Sequence, residues 1–229
     1  MRLSLIQSVF VATLLASSLL TAQPVASMSA VEYRQLGIRY RDQGLLPEAV
    51  SALRKAVALD SSNRTGRVNL GWTLHLAGRD REAAEVLQET ILLDPFHVQT
   101  FNALGIVYLV NDDLASAALT HTWATVLEPD NEIAHYNLSL AYERLAEYEW
   151  ASAAARRAAA LEPENPHVWV ALAIAYQGQG ADKQAQQAYQ QAIKRDSRYS
   201  ESNFLDHLQE AGFSSSQITA SEQILEAVR

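Results

Sequence analysis

Between Glu128 and Tyr142 the chain carries Glu128, Asp130, Glu132, His135, Tyr136, Ser139 and Tyr142, together with Asn131 and Asn137. Carboxylates near an imidazole and phenols are the raw material of general acid–base sites. A histidine among acids is also the start of a divalent-metal site. His121 lies a short way upstream, and His121 and His135 read either as partly buried, hydrogen-bonded packing groups or as a candidate pair for pH sensing, for metal binding or for the chemistry of an accessory enzyme.

Other spacings argue against catalysis. None of the six histidines stands four residues from another, which removes the helical pair of a zinc hydrolase. There is no cysteine, so thiolate nucleophiles, thiolate metal sites and disulfides are excluded. No serine stands in a Gly-x-Ser-x-Gly setting, and Gly178-Gln179-Gly180 follows a helical pattern rather than a strand, which makes it a helix end and not a phosphate loop. Asn137-Leu138-Ser139 has the form of a glycosylation acceptor, but it falls inside a predicted helix. The expectation is a chain that is not an enzyme and needs no cofactor or metal.

The elements that carry these residues repeat. With starts at Ala30, Arg64, Val98, Glu132 and Pro166, a period of 34 places leucine at the seventh position each time, from Leu36 to Leu172. The eighth position is small (Gly37, Gly71, Gly105, Ser139, Ala173) and the twentieth is always alanine (Ala49, Ala83, Ala117, Ala151, Ala185). Apolar residues recur three and four apart, as on one face of a helix. Pro95, Pro129 and Pro163 stop helices, Asn131 and Asn165 are placed to cap the next ones, and Pro166 suits a first helical turn. Each period therefore reads as a helix pair. The small residues at positions eight and twenty let the two helices approach closely.

This pattern resembles the tetratricopeptide repeat family, whose signature over 34 residues is W-x2-L-G-x2-Y, then A-x3-F, then P. The resemblance implies an all-α, right-handed α-solenoid of five helix-turn-helix units over residues 28–199 (30–63, 64–97, 98–131, 132–165 and 166–199). Residues 200–229 read as C-terminal capping helices, with Phe204, Leu205, Leu208 and Ala211 on one stripe that ends at Gly212. Ser214 and Gln217 are spaced as the capping box of a last helix.

In this family the first helix of each repeat lines a concave groove. Carried onto this chain, the positions that face it are Val68, Asn69 and Trp72, then Asn102, Ile106 and Leu109, then Tyr136, Asn137 and Leu140, then Val170 and Ile174. Such a surface takes a protein or peptide partner, with the amides of Asn69, Asn102 and Asn137 serving an extended backbone and the apolar side chains serving those of the ligand. The alternatives are a homo-oligomer with an occluded groove, or a groove filled by the C-terminal helix. Some relatives clamp a carboxylate-ended peptide with a lysine and an asparagine at positions five and nine, but those positions here are Arg34 and Ile38.

Net charge is -8, which speaks against nucleic acid as a partner. The charge is unevenly spread: Val31–Arg81 holds nine Lys or Arg against five acids, whereas Glu82–Glu143 holds ten acids and no Lys or Arg. That asymmetry would steer a basic partner toward the middle of the array. At the N-terminus, residues 1–27 have the apolar, charge-poor form of a signal peptide or N-terminal anchor, with Val25-Ala26-Ser27 suited to cleavage. Export to a periplasm, lumen or extracellular space is expected, or a cytoplasmic location if Met28 is the start. Exported relatives imply a role in assembling a membrane or envelope complex.

Overall fold

The computed structural model describes residues 28–229; the expectation for residues 1–27 lies outside them. Ten α-helices follow one another in pairs: α1 (Ala30–Asp42) with α2 (Leu46–Leu59), α3 (Arg64–Leu76) with α4 (Asp80–Leu93), α5 (Val98–Val110) with α6 (Leu114–Leu127), α7 (Glu132–Arg144) with α8 (Tyr148–Leu161), and α9 (Pro166–Gly178) with α10 (Asp182–Arg195). Every helix begins and ends 34 residues after its counterpart in the previous pair, and each first helix starts at a repeat start read from the sequence. A four-residue 3₁₀ turn, a 3₁₀ helix at Ser202–Ala211 and α11 (Ser215–Val228) complete the chain. Among the described residues there is no strand, and no helix is long and apolar enough to cross a membrane.

Helices of 13 or 14 residues are marginal in isolation, so pairing must stabilise them. The pairing contact is specific. A Cβ on Gly37 would lie 2.5 Å from Leu53, one on Gly71 would lie 2.7 Å from Leu87, and one on Gly105 would lie 2.5 Å from the ring of His121. Position eight of the first helix is thus a socket for position 24 of the second. Leu53, Leu87, His121, Ala155 and Tyr189, which hold that position, are all fully buried. The alanines at position twenty are buried as well, as the close approach requires.

The helix starts are fixed locally. Asn63, Asn131 and Asn165 each accept a backbone N–H from the first turn that follows, Ser29 and Glu32 form a reciprocal capping box, and Pro166 occupies the first turn of α9. Between the helices of each pair the chain turns through one left-handed residue: Gly44, Gly78, Asp112, Ala146 and Gly180, with φ between 59° and 76°. Glycine takes that conformation without strain; Asp112 and Ala146 do not.

Successive pairs stack so that first helices touch first helices (α1 on α3, α3 on α5, α5 on α7, α7 on α9). The second helices lie outside them, which gives an α-solenoid with its first helices on the inner, concave face. The expected C-terminal cap is present, and Gly212 stops it in a left-handed conformation (φ 87°). Its first part is a 3₁₀ helix rather than an α-helix.

The strain at Ala146 is testable. Replacing Ala146 by Gly relieves the left-handed Cβ clash and should raise stability by roughly 0.5–1 kcal/mol in urea unfolding, whereas Gly78→Ala should lower it by a similar amount.

Candidate functional site

The inner face is divided into two halves by the chain's own C-terminus. Residues 202–228 fold back onto α9 and α10, and Ala211, Gly212 and Gln217 reach α7. There Leu205, Leu208, Phe213, Ile224 and Leu225 join one apolar cluster with Leu109, Leu140, Val170 and Ile174. Gly212 sits over two of these, since a Cβ there would lie 3.7 Å from Leu140 and 4.0 Å from Leu109. Of the eleven residues placed in the groove by sequence, Leu109, Leu140, Val170 and Ile174 are at most 1% exposed, and Asn137 is also buried.

Polar contacts fix the docked segment. The Tyr136 hydroxyl donates to the Ala211 carbonyl at 2.7 Å, and its ring lies 6.1 Å from that of Phe213. Gln217 uses both ends of its amide. Its oxygen accepts the Ser214 N–H at 2.9 Å in the expected capping box, while its nitrogen donates to the Leu140 carbonyl at 3.1 Å and to the Glu143 carboxylate at 2.8 Å. Burial raises the Glu143 pKa, against the lowering effect of the Gln217 hydrogen bond. At the far end Arg229 donates to the Ser200 carbonyl at 2.9 Å, which closes the segment on itself.

The amides behave differently from expectation. Asn137 donates to the Ile133 carbonyl of its own helix at 2.9 Å, so the backbone-reading role falls to Tyr136 instead. Asn102 donates to Asn131 at 3.3 Å, but its own oxygen is buried without a partner. The Asn69 oxygen accepts from Arg41 at 3.4 Å. Tyr136 and Gln217 as polar anchors escaped sequence reading, because their partners lie 75 and 74–77 residues away and no local pattern marks such a pair. A glutamine at N3 of a capping box is the one visible signal.

The other half of the inner face is uncovered. Val68, Asn69, Trp72, Asn102 and Ile106 are partly exposed, and Leu76 and Val110 beside them are exposed. Trp72 stacks obliquely on His75 with ring centres 5.2 Å apart, and His75 is held by Asp80 at 2.6 Å. This half presents apolar side chains with amides between them and spans the join between the basic stretch, which holds Val68, Asn69 and Trp72, and the acidic one, which holds Asn102 and Ile106.

The histidine pair does not assemble. His121 is fully buried against Gly105, and neither ring nitrogen has a hydrogen-bond partner, contrary to the expectation of a bonded imidazole. His135 turns away, with its Nε2 3.0 Å from the Pro129 carbonyl. Among the described residues no three His, Asp or Glu side chains come close enough to hold a metal. Burial pushes the His121 pKa down to about 3, and the nearby Gly105 backbone, which does not reach hydrogen-bond geometry with the ring, opposes the shift only in part. The imidazole is therefore neutral and acts as a packing group.

Comparison with known proteins agrees with this geometry. The family model described as "Psidin, N-terminal TPR repeats region" matches residues 40–221. Solved structures with a similar fold include MamA from Desulfovibrio magneticus RS-1, 22% identical, with a TM-score of 0.67 over 73% of this chain and 94% of that one. A second MamA crystal structure is 23% identical, with a TM-score of 0.65 over 75% of this chain and 94% of that one. TTC0263, a thermophilic TPR protein of Thermus thermophilus, is 21% identical, with a TM-score of 0.60 over 74% and 93% of the two chains. No curated protein matches the chain.

Two consequences of the His121 environment can be measured. Leu53 and Leu87 fill the same socket over Gly37 and Gly71, so His121→Leu fits and should stabilise the fold by about 1–3 kcal/mol by removing an unsatisfied buried imidazole. The folded pKa of about 3 lies below the ordinary value of 6.5. The unfolded chain therefore takes up a proton first, and stability is complete above pH 6.5 and is lost as pH falls toward 3. That loss approaches about 1.4 kcal/mol per pH unit. Urea unfolding at pH 7 and pH 5 should show the advantage of His121→Leu over the parent growing in acid; a constant difference would contradict the assignment.

Proposed function

The chain belongs to the tetratricopeptide repeat family, and from that premise we propose that it is a non-catalytic scaffold that holds a protein partner in the open half of its concave face. The observation that carries this reading is the division of that face. One half is filled by the chain's own residues 202–228, and the other leaves Trp72, Ile106 and their neighbours partly exposed. A concave apolar surface with interspersed amides is suited to an extended or helical peptide. The docked C-terminal segment is an internal example of such a ligand, with apolar side chains seated among those of α7 and α9 and one carbonyl held by a phenol.

The uncovered residues Val68, Asn69, Trp72, Asn102 and Ile106 are the proposed contacts. Leu109, Tyr136, Asn137, Leu140, Val170 and Ile174 form the proposed seat of the chain's own segment. Residues 1–27 support export or anchoring at a membrane, and the working role is assembly of a membrane or envelope complex. Self-association through the open half is the competing reading.

Crosslinked affinity capture from native membranes tests the proposal. Trp72→Glu and Ile106→Glu should deplete the captured partners, and Arg156→Glu on the outer surface of α8 should not. An unchanged set of partners with Trp72→Glu, or protein that elutes as an oligomer until Trp72 is replaced, would remove it.

A further inference from the structure

The outer surface of the solenoid breaks its own pattern once. At positions 22, 26 and 29 of the second helix, the first, fourth and fifth repeats carry only Ser, Ala, Gln, Lys or Arg, and the second carries two glutamates and Leu92. The third repeat carries Leu119, Trp123 and Val126, which are 63%, 51% and 62% exposed. Spacings of four and three set them in one line along α6. The line is not the back of the core: Ala117, His121 and Ala124 of the same helix already supply the buried face. Leu92, the counterpart of Val126 one repeat earlier, is 85% exposed and extends the apolar surface toward α4.

Charge indicates what this surface takes. From Glu82 to Asp130 the chain has eight acids and no Lys or Arg, and α6 itself is uncharged. Six of these acids already face an arginine: Glu82 meets Arg54 and Arg79, Glu85 meets Arg81, Glu89 meets Arg67, Asp94 meets Arg64, Asp112 meets Arg144 and Asp130 meets Arg157. Asp113 at the start of α6 and Glu128 at its end are exposed and meet no cation among the described residues. The apolar line, about 10 Å long, thus lies between two carboxylates that lack a counter-charge and stand about 20 Å apart along the helix. A second copy laid antiparallel on the same line would set acid against acid, and a membrane of anionic lipid would be repelled.

We propose that the outer face of α6 is a second docking surface, separate from the concave groove, and that its occupant is an amphipathic helix of a partner protein with apolar residues at i, i+4 and i+7 and Lys or Arg near both ends. The apolar side chains of that helix cover Leu119, Trp123 and Val126, and its cations reach Asp113 and Glu128. This gives the two uncompensated carboxylates that flank α6 a specific partner chemistry, in place of general steering.

The test uses a labelled synthetic helix as long as α6, with leucine at those three positions, glutamine elsewhere and lysine at both ends, and a second helix with glutamate at the ends. Fluorescence anisotropy should show the lysine-ended helix binding and the glutamate-ended one failing to bind. Trp123→Gln and Leu119→Gln should each weaken binding roughly tenfold or more. Trp72→Glu in the concave groove should leave it unchanged, so failure here is distinct from failure of the groove reading. Because the replaced side chains are exposed, the urea midpoint of each variant should match the parent, and lost binding then reports the surface. Equal binding by Trp123→Gln, equal binding of the two helices, no binding of the lysine-ended helix, or a dimer that Trp123→Gln dissolves would each overturn the proposal.

Discussion

Everything in this fold depends on how closely the two helices of a repeat can approach. Position eight must be small because position 24 of the partner helix is driven into it, and position 24 is fully buried in all five repeats. The occupants vary widely: leucine over glycine twice, histidine over glycine once, and alanine and tyrosine in the last two repeats. The backbone spacing is kept while the side chains are exchanged, as volume compensation across a packed interface allows. This is why an imidazole with no hydrogen bonds can persist at His121: its volume fits the socket, and the other buried apolar contacts of the array outweigh its desolvation cost.

That constraint also explains what was legible in the sequence. A close contact repeated every 34 residues leaves small residues at fixed intervals, so the helix starts at Ala30, Arg64, Val98, Glu132 and Pro166 followed from the repeat pattern alone. The caps at Asn131, Asn165 and Ser214 followed from local hydrogen bonding. The path of residues 202–228 did not. Their apolar stripe announces burial, but its target lies on α9, α10 and α7, and such long-range complementarity has no period. For the same reason the pattern identified Leu140, Val170 and Ile174 as inner-face residues and left their cover by the C-terminal helix as only one of the alternatives. Tyr136 was identified as facing the groove, while its role as a hydrogen-bond donor to Ala211 required the fold.

The apolar line on α6 was missed for a different reason. A search for repeats rewards what is common to all five units, whereas Leu119, Trp123 and Val126 are what one unit does differently. Departures from the shared pattern at outward positions carry information that the pattern itself cannot, because neither packing nor capping needs them.

Between successive repeats each second helix packs on the first helix that follows it, and the inner helices touch one another as well. The C-terminal segment packs on α9 and α10 and is pinned to α7 through Tyr136 and Gln217. It therefore clasps the fourth and fifth repeats together, a tie between neighbours that the repeat pattern by itself does not supply.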